Sequence, residues 1–225
     1  HGIMRIARGL ATLADGVALL DLEDAVRLRE SGITQPILLL EGFFGAKDLP
    51  EIAARRLSTV VHTLEQLDWL ESAQLPAGAR IPLFLKVNTG MNRLGITPAQ
   101  VPVALARLRA WPHAGQIGLM THFADADGER GVDAQFARFA PLAAQFDGPV
   151  SMANSAALLR FPQTHADWVR PGILLYGASP ATAHATATDI GLKPVMRFEA
   201  RIIAVQHLQP GDRVGYGGMF TAERS

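Results

Sequence analysis

Residues 81–123 read IPLFLKVNTGMNRLGITPAQVPVALARLRAWPHAGQIGLMTHF and contain one complete strand–helix–strand unit. An uninterrupted apolar run opens the unit, and a second run closes it at 115–123. Between the two runs, Thr97 and Pro98 predict the N-cap and first position of a helix. Short apolar runs without polar alternation are typical of strands that helices cover on both faces, so the unit predicts a parallel α/β sheet.

The same unit recurs along most of the chain. Apolar runs of strand length alternate with helical segments at 16–22, 37–43, 57–62, 81–90, 115–123, 149–154 and 168–177. A helical pattern at 3–13 comes before the first run. Seven strands and one unpaired helix predict an α/β (β/α)8 barrel of the TIM type, whose first strand would precede His1. An open doubly wound sheet is the alternative, which the lack of a GxGxxG motif after any strand disfavours.

The sequence pattern changes after residue 194. The segment 195–205, VMRFEARIIAV, alternates apolar and polar residues and leads to a turn at 209–212. This alternation predicts antiparallel β structure. We therefore divide the chain into a barrel domain, residues 1–194, and the truncated start of a β-rich C-terminal domain, residues 195–225.

Composition excludes several classes of function. Lys and Arg total 21 and so do Asp and Glu, so the formal net charge is zero and no broad field attracts nucleic acid or an anionic membrane. The absence of cysteine excludes disulfides and thiolate chemistry. We see neither a signal peptide nor an apolar run long enough to span a bilayer, so we expect a cytoplasmic protein. The expected partner is a small molecule or a second copy of the chain.

Polar residues follow many of the apolar runs, and a parallel barrel brings the carboxyl ends of its strands to one mouth. These residues are Glu41, His62, Lys86, Asn88, Arg93, His122, Asn154 and Ser155, while Arg170 lies near the start of the last run. Each of them alone is explained by strand termination, and we interpret His62 as a structural or solvent-facing histidine. Their convergence at one rim favours a functional site.

A phosphate site between the last two strands is common in this fold. Asn154 and Ser155 begin a helix there, and Gly172 allows close approach to a backbone N–H group. Helix N-termini and unpaired N–H groups favour anions, so this region predicts a phosphorylated ligand.

The motif THFADAD (121–127) allows an alternative interpretation, in which His122, Asp125 and Asp127 bind a divalent metal. A metal-dependent barrel hydrolase is disfavoured because no HxH pair ends an early strand and no second ligand cluster is evident. We expect no metal.

Five motifs, in order along the chain, resemble the alanine racemases, which are fold-type III enzymes that use pyridoxal 5'-phosphate (PLP). The motifs are LKVNTGMNRLG (85–95), MTHFADAD (120–127), ANSAALLRFP (153–162), WVRPGILLYGASP (168–180) and RVGYGG (213–218). The resemblance implies an N-terminal barrel, a C-terminal β domain and a homodimer.

The resemblance also implies a two-base mechanism that racemises L- and D-alanine. The opening residues His1 and Gly2 match the end of a K-x-x-x-Y-G-H-G motif, which places the PLP-binding lysine upstream of His1 and makes this segment alone inactive. Tyr216 corresponds to the second base and acts in the partner subunit's site. His122 and Arg170 correspond to a hydrogen-bond chain from that tyrosine to the pyridine nitrogen.

The other expected roles also come from the resemblance. The cofactor-binding residues are Asn154, Ser155, Arg170, Gly172 and Ile173. Arg93 matches the arginine near the substrate carboxylate, and Lys86 matches a lysine that is often carbamylated. Asn88 departs from the family, in which many members have aspartate.

The implied reaction supplies D-alanine for peptidoglycan or serves alanine catabolism. A broader-specificity PLP-dependent racemase and a non-catalytic PLP-binding barrel are the alternatives. The expected partners are alanine and a second subunit, without nucleic acid or membrane.

Overall fold

The computed structural model describes residues 2–181 and 183–225. The chain divides into two compact units, His1–Val195 and Met196–Ser225. The first unit contains a parallel sheet with its helices, and the second contains a short antiparallel hairpin.

The sheet of the first unit has seven strands, and each strand pairs in parallel with the next one along the chain. The strands are β1 (Val17–Leu19), β2 (Ile37–Leu39), β3 (Ser58–Val61), β4 (Ile81–Lys86), β5 (Ala114–Met120), β6 (Val150–Asn154) and β7 (Trp168–Arg170). All seven strands were predicted from the apolar runs, and these predictions are confirmed. Strictly sequential order is that of a (β/α)8 barrel, whereas the strand order of a doubly wound sheet reverses.

Helices alternate with the strands as predicted. They are α1 (Ile3–Leu10), α2 (Leu22–Glu30), α3 (Leu49–Ala54), α4 (Leu64–Ser72), α5 (Val101–Ala110), α6 (Asp133–Ala144) and α7 (Ser155–Arg160). Short 3-10 turns occur at Ala46–Asp48, Pro98–Gln100, Pro162–Thr164 and Ile173–Tyr176. The predicted cap at Thr97 is confirmed, because the Thr97 N–H donates to Gln100 Oε1 at 2.9 Å in the 3-10 turn that leads into α5.

The two faces of the sheet differ in what covers them. Leu83 and Leu85 of β4 are completely buried in the hydrophobic cluster that joins sheet and helices. Phe84 and Lys86 alternate with them and therefore point to the other face, towards the inside of the curl. Gly118 of β5 is paired with Phe84, and a Cβ atom added at Gly118 would lie 2.5 Å from the Phe84 ring. The inner face thus has room for one aromatic ring only because its neighbour is glycine.

We expect Gly118→Ala to destabilise the protein by about 1–3 kcal/mol, because the added methyl group overpacks the contact between the Phe84 ring and the Pro149 carbonyl. Gly9→Ala is the matched control. Gly9 lies in α1 with nothing within 4 Å of an added Cβ, so this variant should be as stable as the wild type or up to about 1 kcal/mol more stable. Urea unfolding of both variants measures the difference, and equal stabilities would contradict this packing.

The second unit differs from its prediction. The predicted turn at 209–212 is confirmed: the Asp212 N–H donates to Gln209 O at 3.0 Å, before the antiparallel pair β8 (Arg213–Val214) and β9 (Phe220–Thr221). The predicted strand in 195–205 is wrong, since this segment has no regular structure and its apolar side chains are exposed. Alternation suits a half-buried strand, but a strand forms only where a second strand accepts its hydrogen bonds. Within the described part of this unit, β8 and β9 are the only strands that pair.

In the described ranges, no helix is both long enough and apolar enough to cross a bilayer.

Candidate active site at the carboxyl ends of the strands

Four predicted site residues lie where parallel strands end. Lys86 is the last residue of β4, Asn154 the last of β6 and Arg170 the last of β7, and His122 comes two residues after β5. The run WVRPGILLYG placed Arg170 near the start of a long strand, but the structure ends β7 at Arg170 and continues in a 3-10 turn. Proline has no N–H for the ladder, so Pro171 explains this early end. Arg170 thereby lies at the same edge of the sheet as the others.

Arg170 links the ends of three strands through its guanidinium group. Nη1 donates to the Ser151 hydroxyl of β6. Nη2 donates to the carbonyls of Thr121 at 2.7 Å and Met152 at 3.2 Å, and it lies 3.4 Å from His122 Nδ1. Burial lowers the pKa of Arg170 to about 10, which leaves the group charged at neutral pH. Among the described residues, no carboxylate forms a salt bridge with Arg170, so its positive charge is available to a ligand.

His122 is held as a neutral imidazole. Arginine can only donate hydrogen bonds, so His122 Nδ1 accepts from Arg170 and the ring proton lies on Nε2. Burial, which has the largest effect, and the nearby charges of Arg170, Lys86 and Arg93 together lower the pKa of His122 to about 3. The imidazole can therefore donate from Nε2 to a third group without becoming a cation.

Lys86 is buried at the carboxyl end of β4. Its pKa is lowered to about 8, mostly by burial and further by the charges of Arg170 and Arg93, while the charge of Glu41 acts in the opposite direction. A fraction of this amine is therefore unprotonated near neutral pH. Lys86, Arg93 and Arg170 make the mouth electropositive, which suits an anionic ligand.

Asn88 shapes the loop after β4 that carries Arg93. Its Oδ1 accepts from the N–H groups of Gly90 and Asn92, both at 3.0 Å, and its Nδ2 donates to Asn92 Oδ1 at 2.9 Å. Asn92 has a positive φ of 57°, a conformation that asparagine tolerates better than most residues. Aspartate at position 88 would keep the two accepted bonds and lose the donated one. In this chain Asn92 accepts the hydrogen bond that asparagine, but not aspartate, can donate from position 88.

Asn154 organises the start of α7. Its Oδ1 accepts from the Ala157 N–H at 3.0 Å as an N-cap, and its Nδ2 donates to Phe123 O at 3.1 Å. Both ends of the side-chain amide therefore have partners in the protein. A role of Asn154 towards a cofactor stays a prediction.

The residues predicted to hold a phosphate come together between β6 and β7. The buried Ser155 hydroxyl accepts from the Leu174 N–H at 3.5 Å, next to the exposed Ile173. The N–H of Gly172 was predicted to be available to an anion, but here it donates to Arg170 O at 2.9 Å. The tight turn of Pro171–Gly172 produces this bond, so an anion would have to displace it or bind to neighbouring N–H groups.

The alternative metal site in 121–127 has no support. Asp125 pairs with Arg130, whose Nε and backbone N–H lie 3.1 and 3.0 Å from Asp125 Oδ2. Among the described residues, no three His, Asp or Glu side chains are close enough to hold a metal ion.

His62 occupies a structural position, in line with its interpretation from the sequence. Its Nε2 lies 2.9 Å from the Glu41 carbonyl, and its backbone N–H donates to Gln66 Oε1 at 2.7 Å. The sequence did not point to Thr121 and Ser151, although both bond to Arg170. A polar serine in the otherwise apolar strand PVSMAN was the available signal.

Tyr216 belongs to the second unit. It begins the 3-10 turn Tyr216–Gly218, between β8 and β9, and its side chain is exposed. Gly215 and Gly217 have positive φ angles of 71° and 72°, which glycine adopts without strain. The glycines on both sides of the tyrosine are thus required by the turn.

The fold and the mouth define a class: barrel proteins of the (β/α)8 type with an electropositive site at the carboxyl ends of their strands. Residues 1–180 match the family model described as the N-terminal domain of alanine racemase. The chain belongs to this family.

Named relatives support the same assignment. The chain is 52% identical over 225 residues to an alanine racemase of Cupriavidus metallidurans and 54% identical over 228 residues to one of Nitrosospira multiformis. It covers 60% and 63% of those proteins, and all of it is aligned in both comparisons. The crystal structure of the biosynthetic alanine racemase from Pseudomonas aeruginosa matches with a TM-score of 0.91 and 38% identity, over 100% of this chain and 62% of that chain. The sequence thus spans about three fifths of its relatives.

We expect His122 to make the protein sensitive to acid. A folded-state pKa of about 3 lies below that of an exposed histidine, about 6.5, so the unfolded chain binds the proton first. Stability should therefore fall as the pH falls from about 6.5 towards 3. Between pH 6.5 and pH 5, the unfolding free energy of the wild type should fall by about 1–2 kcal/mol more than that of His122→Asn.

The control for this experiment is His207→Asn, which removes an exposed histidine of the second unit. This variant should follow the wild type across the same pH range in urea unfolding. Parallel pH profiles for all three proteins would contradict a neutral, buried His122.

Proposed function

We propose that the protein containing this chain is an alanine racemase, which interconverts L- and D-alanine with PLP as its cofactor. The observation that carries the proposal is the contact between Arg170 and a neutral His122 in an electropositive mouth. The identities of 52% and 54% to alanine racemases support the choice of substrate.

The residues of the mouth fit the chemistry of PLP. The phosphate of PLP is an anion, and the mouth combines the cations Lys86, Arg93 and Arg170 with a hydroxyl group, that of Ser155. Ser155 and the Gly172–Ile173 segment would hold the phosphate, and Arg170 would donate to the pyridine nitrogen. When bound, PLP withdraws electrons from the α-carbon of an amino acid, which acidifies the α-proton.

Arg170 would keep the pyridine nitrogen as a hydrogen-bond acceptor. A guanidinium group with a pKa of about 10 retains its own proton at neutral pH, so it donates a hydrogen bond and does not transfer the proton. The bonds to Ser151, Thr121 and Met152 fix its orientation independently of the ligand.

Tyr216 is the proposed second base, acting in the partner subunit's site. A phenol has a reference pKa near 10, so a tyrosine needs help to lose its proton at neutral pH. His122 would supply this help, because it accepts from Arg170 at Nδ1 and can donate from Nε2 to a phenolate oxygen. Such a chain of donors stabilises the phenolate, while the lysine implied upstream of His1 would serve the other face of the α-carbon.

Arg93 would bind the substrate carboxylate, and a carbamylated Lys86 would position Arg93. Arg93 is exposed on the loop after β4, where its guanidinium group is accessible to a carboxylate. The unprotonated amine of Lys86 can attack CO2, forming an N–C bond and releasing a proton to give a carbamate. A carbamate would replace a buried cation next to Arg93 and Arg170 by an anion, which would relieve their mutual repulsion.

We also propose a homodimer in the cytoplasm that supplies D-alanine. A dimer follows from the expected role of Tyr216 in the partner's site. The biosynthetic function named for the Pseudomonas aeruginosa structure favours supply over catabolism.

We expect Tyr216→Phe in the whole protein to lower racemisation by about 10²–10⁴-fold in both directions, because it removes only the hydroxyl group that carries the proton. Measuring the optical rotation of L- and D-alanine solutions gives both rates. PLP should stay bound, since the change leaves the mouth of the barrel intact.

Tyr176→Phe is the control, since Tyr176 is the other of the two tyrosines and lies in the turn after β7. It should lower the rate far less than Tyr216→Phe. Wild-type turnover by the Tyr216 variant would rule out the two-base assignment, and no racemisation by the wild-type protein would rule out the proposed function.

We expect Ser155→Ala to weaken PLP binding by about tenfold or more, because a hydrogen bond to a charged group contributes about 1.5–3 kcal/mol. Equilibrium dialysis followed by visible absorbance measures the bound PLP. The control is Ser72→Ala, an exposed serine of α4 whose hydroxyl donates to Trp69 O. Unchanged affinity in the Ser155 variant would show that the phosphate binds elsewhere.

A further inference from the structure

A buried glutamine joins the two loops that carry Arg93 and His122. Gln135 lies in the first turn of α6, and its side chain is buried. Its Nε2 donates to His122 O at 3.0 Å and to Thr89 Oγ1 at 3.1 Å, and its Oε1 accepts from the Ala124 N–H at 2.8 Å. Both amide hydrogens and the amide oxygen are therefore used.

The hydrogen bonds beyond Gln135 have a defined direction. The Thr121 hydroxyl donates to Val87 O at 3.0 Å, so its single hydrogen is not available to Thr89, 2.8 Å away. The Thr89 hydroxyl must then donate to Thr121 and accept from Gln135. The chain of donors runs from Gln135 through Thr89 and Thr121 to Val87, and a carboxylate at position 135 has no hydrogen with which to start it.

The helix α6 also packs closely against the loop after β4. Arg138, one turn after Gln135, donates from Nη1 to Thr89 O at 2.8 Å. Gly90 has a φ of 139°, and an added Cβ would lie 3.0 Å from Arg138 Nη1 and 3.4 Å from Gln135 Cγ. Two consecutive residues of the loop are thus fixed by the same face of the helix.

The backbone on both sides of His122 is consequently held. Arg170 binds the Thr121 carbonyl at 2.7 Å, whereas Gln135 binds the His122 carbonyl and the Ala124 N–H. The position of the imidazole relative to the guanidinium group depends on these bonds from two directions.

We propose that Gln135 is a positioning residue, which sets His122 against Arg170 and fixes the Arg93 loop relative to both. The inference rests on the proposed function only where it treats His122, Arg170 and Arg93 as catalytic or substrate-binding residues. The proposal concerns geometry that exists without cofactor or substrate, so it can also be tested in their absence.

The chain contains a matched control for this role. Gln66, in the first turn of α4, is also buried. Its Oε1 accepts from the His62 N–H at 2.7 Å, and its Nε2 donates to Phe43 O at 3.0 Å. It joins the loops after β2 and β3, to which we assign no catalytic or cofactor-binding residue. Loss of either glutamine should cost stability, but only loss of Gln135 should disturb the site.

The experiment compares Gln135→Met with Gln66→Met in the whole protein. We expect Gln135→Met to lower kcat for alanine by about 10²-fold with a smaller change in KM, since a displacement of about 1 Å at a catalytic group has this effect. Gln66→Met should lower kcat by less than about tenfold at a comparable loss of unfolding free energy. Equal losses of kcat would overturn the proposal.

A second readout needs no activity. Amide hydrogen exchange at Ala124, measured without PLP or alanine, should accelerate in Gln135→Met beyond what its global stability predicts. In Gln66→Met the same local effect should occur at the His62 amide and not at Ala124. Unchanged exchange at Ala124 in Gln135→Met would overturn the proposal, even if the wild-type protein proves not to be a racemase.

Gln135→Glu tests the need for a donor and serves where the methionine variant does not fold. Ionised glutamate can accept from the Ala124 N–H but cannot donate to His122 O, while protonated glutamic acid regains one donor. The kcat of this variant relative to the wild type should therefore rise as the pH falls, and Gln66→Glu should not show this rise. A ratio that is independent of pH would contradict the directed chain of hydrogen bonds.

Discussion

The buried guanidinium group of Arg170 is the constraint on which the rest of the site depends. A charge removed from water is tolerated only when its hydrogen bonds are made, and Arg170 makes them to the Ser151 side chain and the Met152 carbonyl of β6 and to the Thr121 carbonyl just after β5. These bonds hold three strand ends in one arrangement. Because Pro171 ends β7 immediately after Arg170, the side chain lies at the mouth of the barrel and not halfway along a strand.

The charge of Arg170 then determines the protonation of its neighbours. It lowers the pKa values of His122 and Lys86, in addition to the larger effect of their burial. A neutral histidine next to a charged arginine can transmit a hydrogen bond without adding a charge of its own. The remaining positive charge attracts an anion, so the same residues that form a donor chain also favour an anionic ligand.

The strands and helices of the first unit could be predicted from the sequence because each strand is a short apolar run between two helical segments. Local patterns of this kind reflect burial on both faces, which every strand of such a sheet shares. The segment 195–205 was predicted wrongly because alternation reports a preference for pairing and not the presence of a partner strand. The residues predicted for the site were chosen from strand ends or from the resemblance, but Thr121 and Ser151 were missed because their contacts depend on where Arg170 reaches in three dimensions.

Gln135 was beyond sequence-based prediction for a related reason. A glutamine in the first turn of a helix is usually solvated, and only the packing of α6 against two loops gives this one three partners. Gln66 has the equivalent position in α4, so the arrangement occurs twice in the barrel. In each case a glutamine in the first turn of a helix forms hydrogen bonds with the loops that follow two neighbouring strands. An amide suits this position because it accepts from an N–H group while its two hydrogens donate to other groups, whereas an ionised carboxylate can only accept and a hydroxyl has a single hydrogen to donate. The loops at the mouth are therefore fixed by the helices behind them, and the exposed Arg93 remains accessible to a ligand.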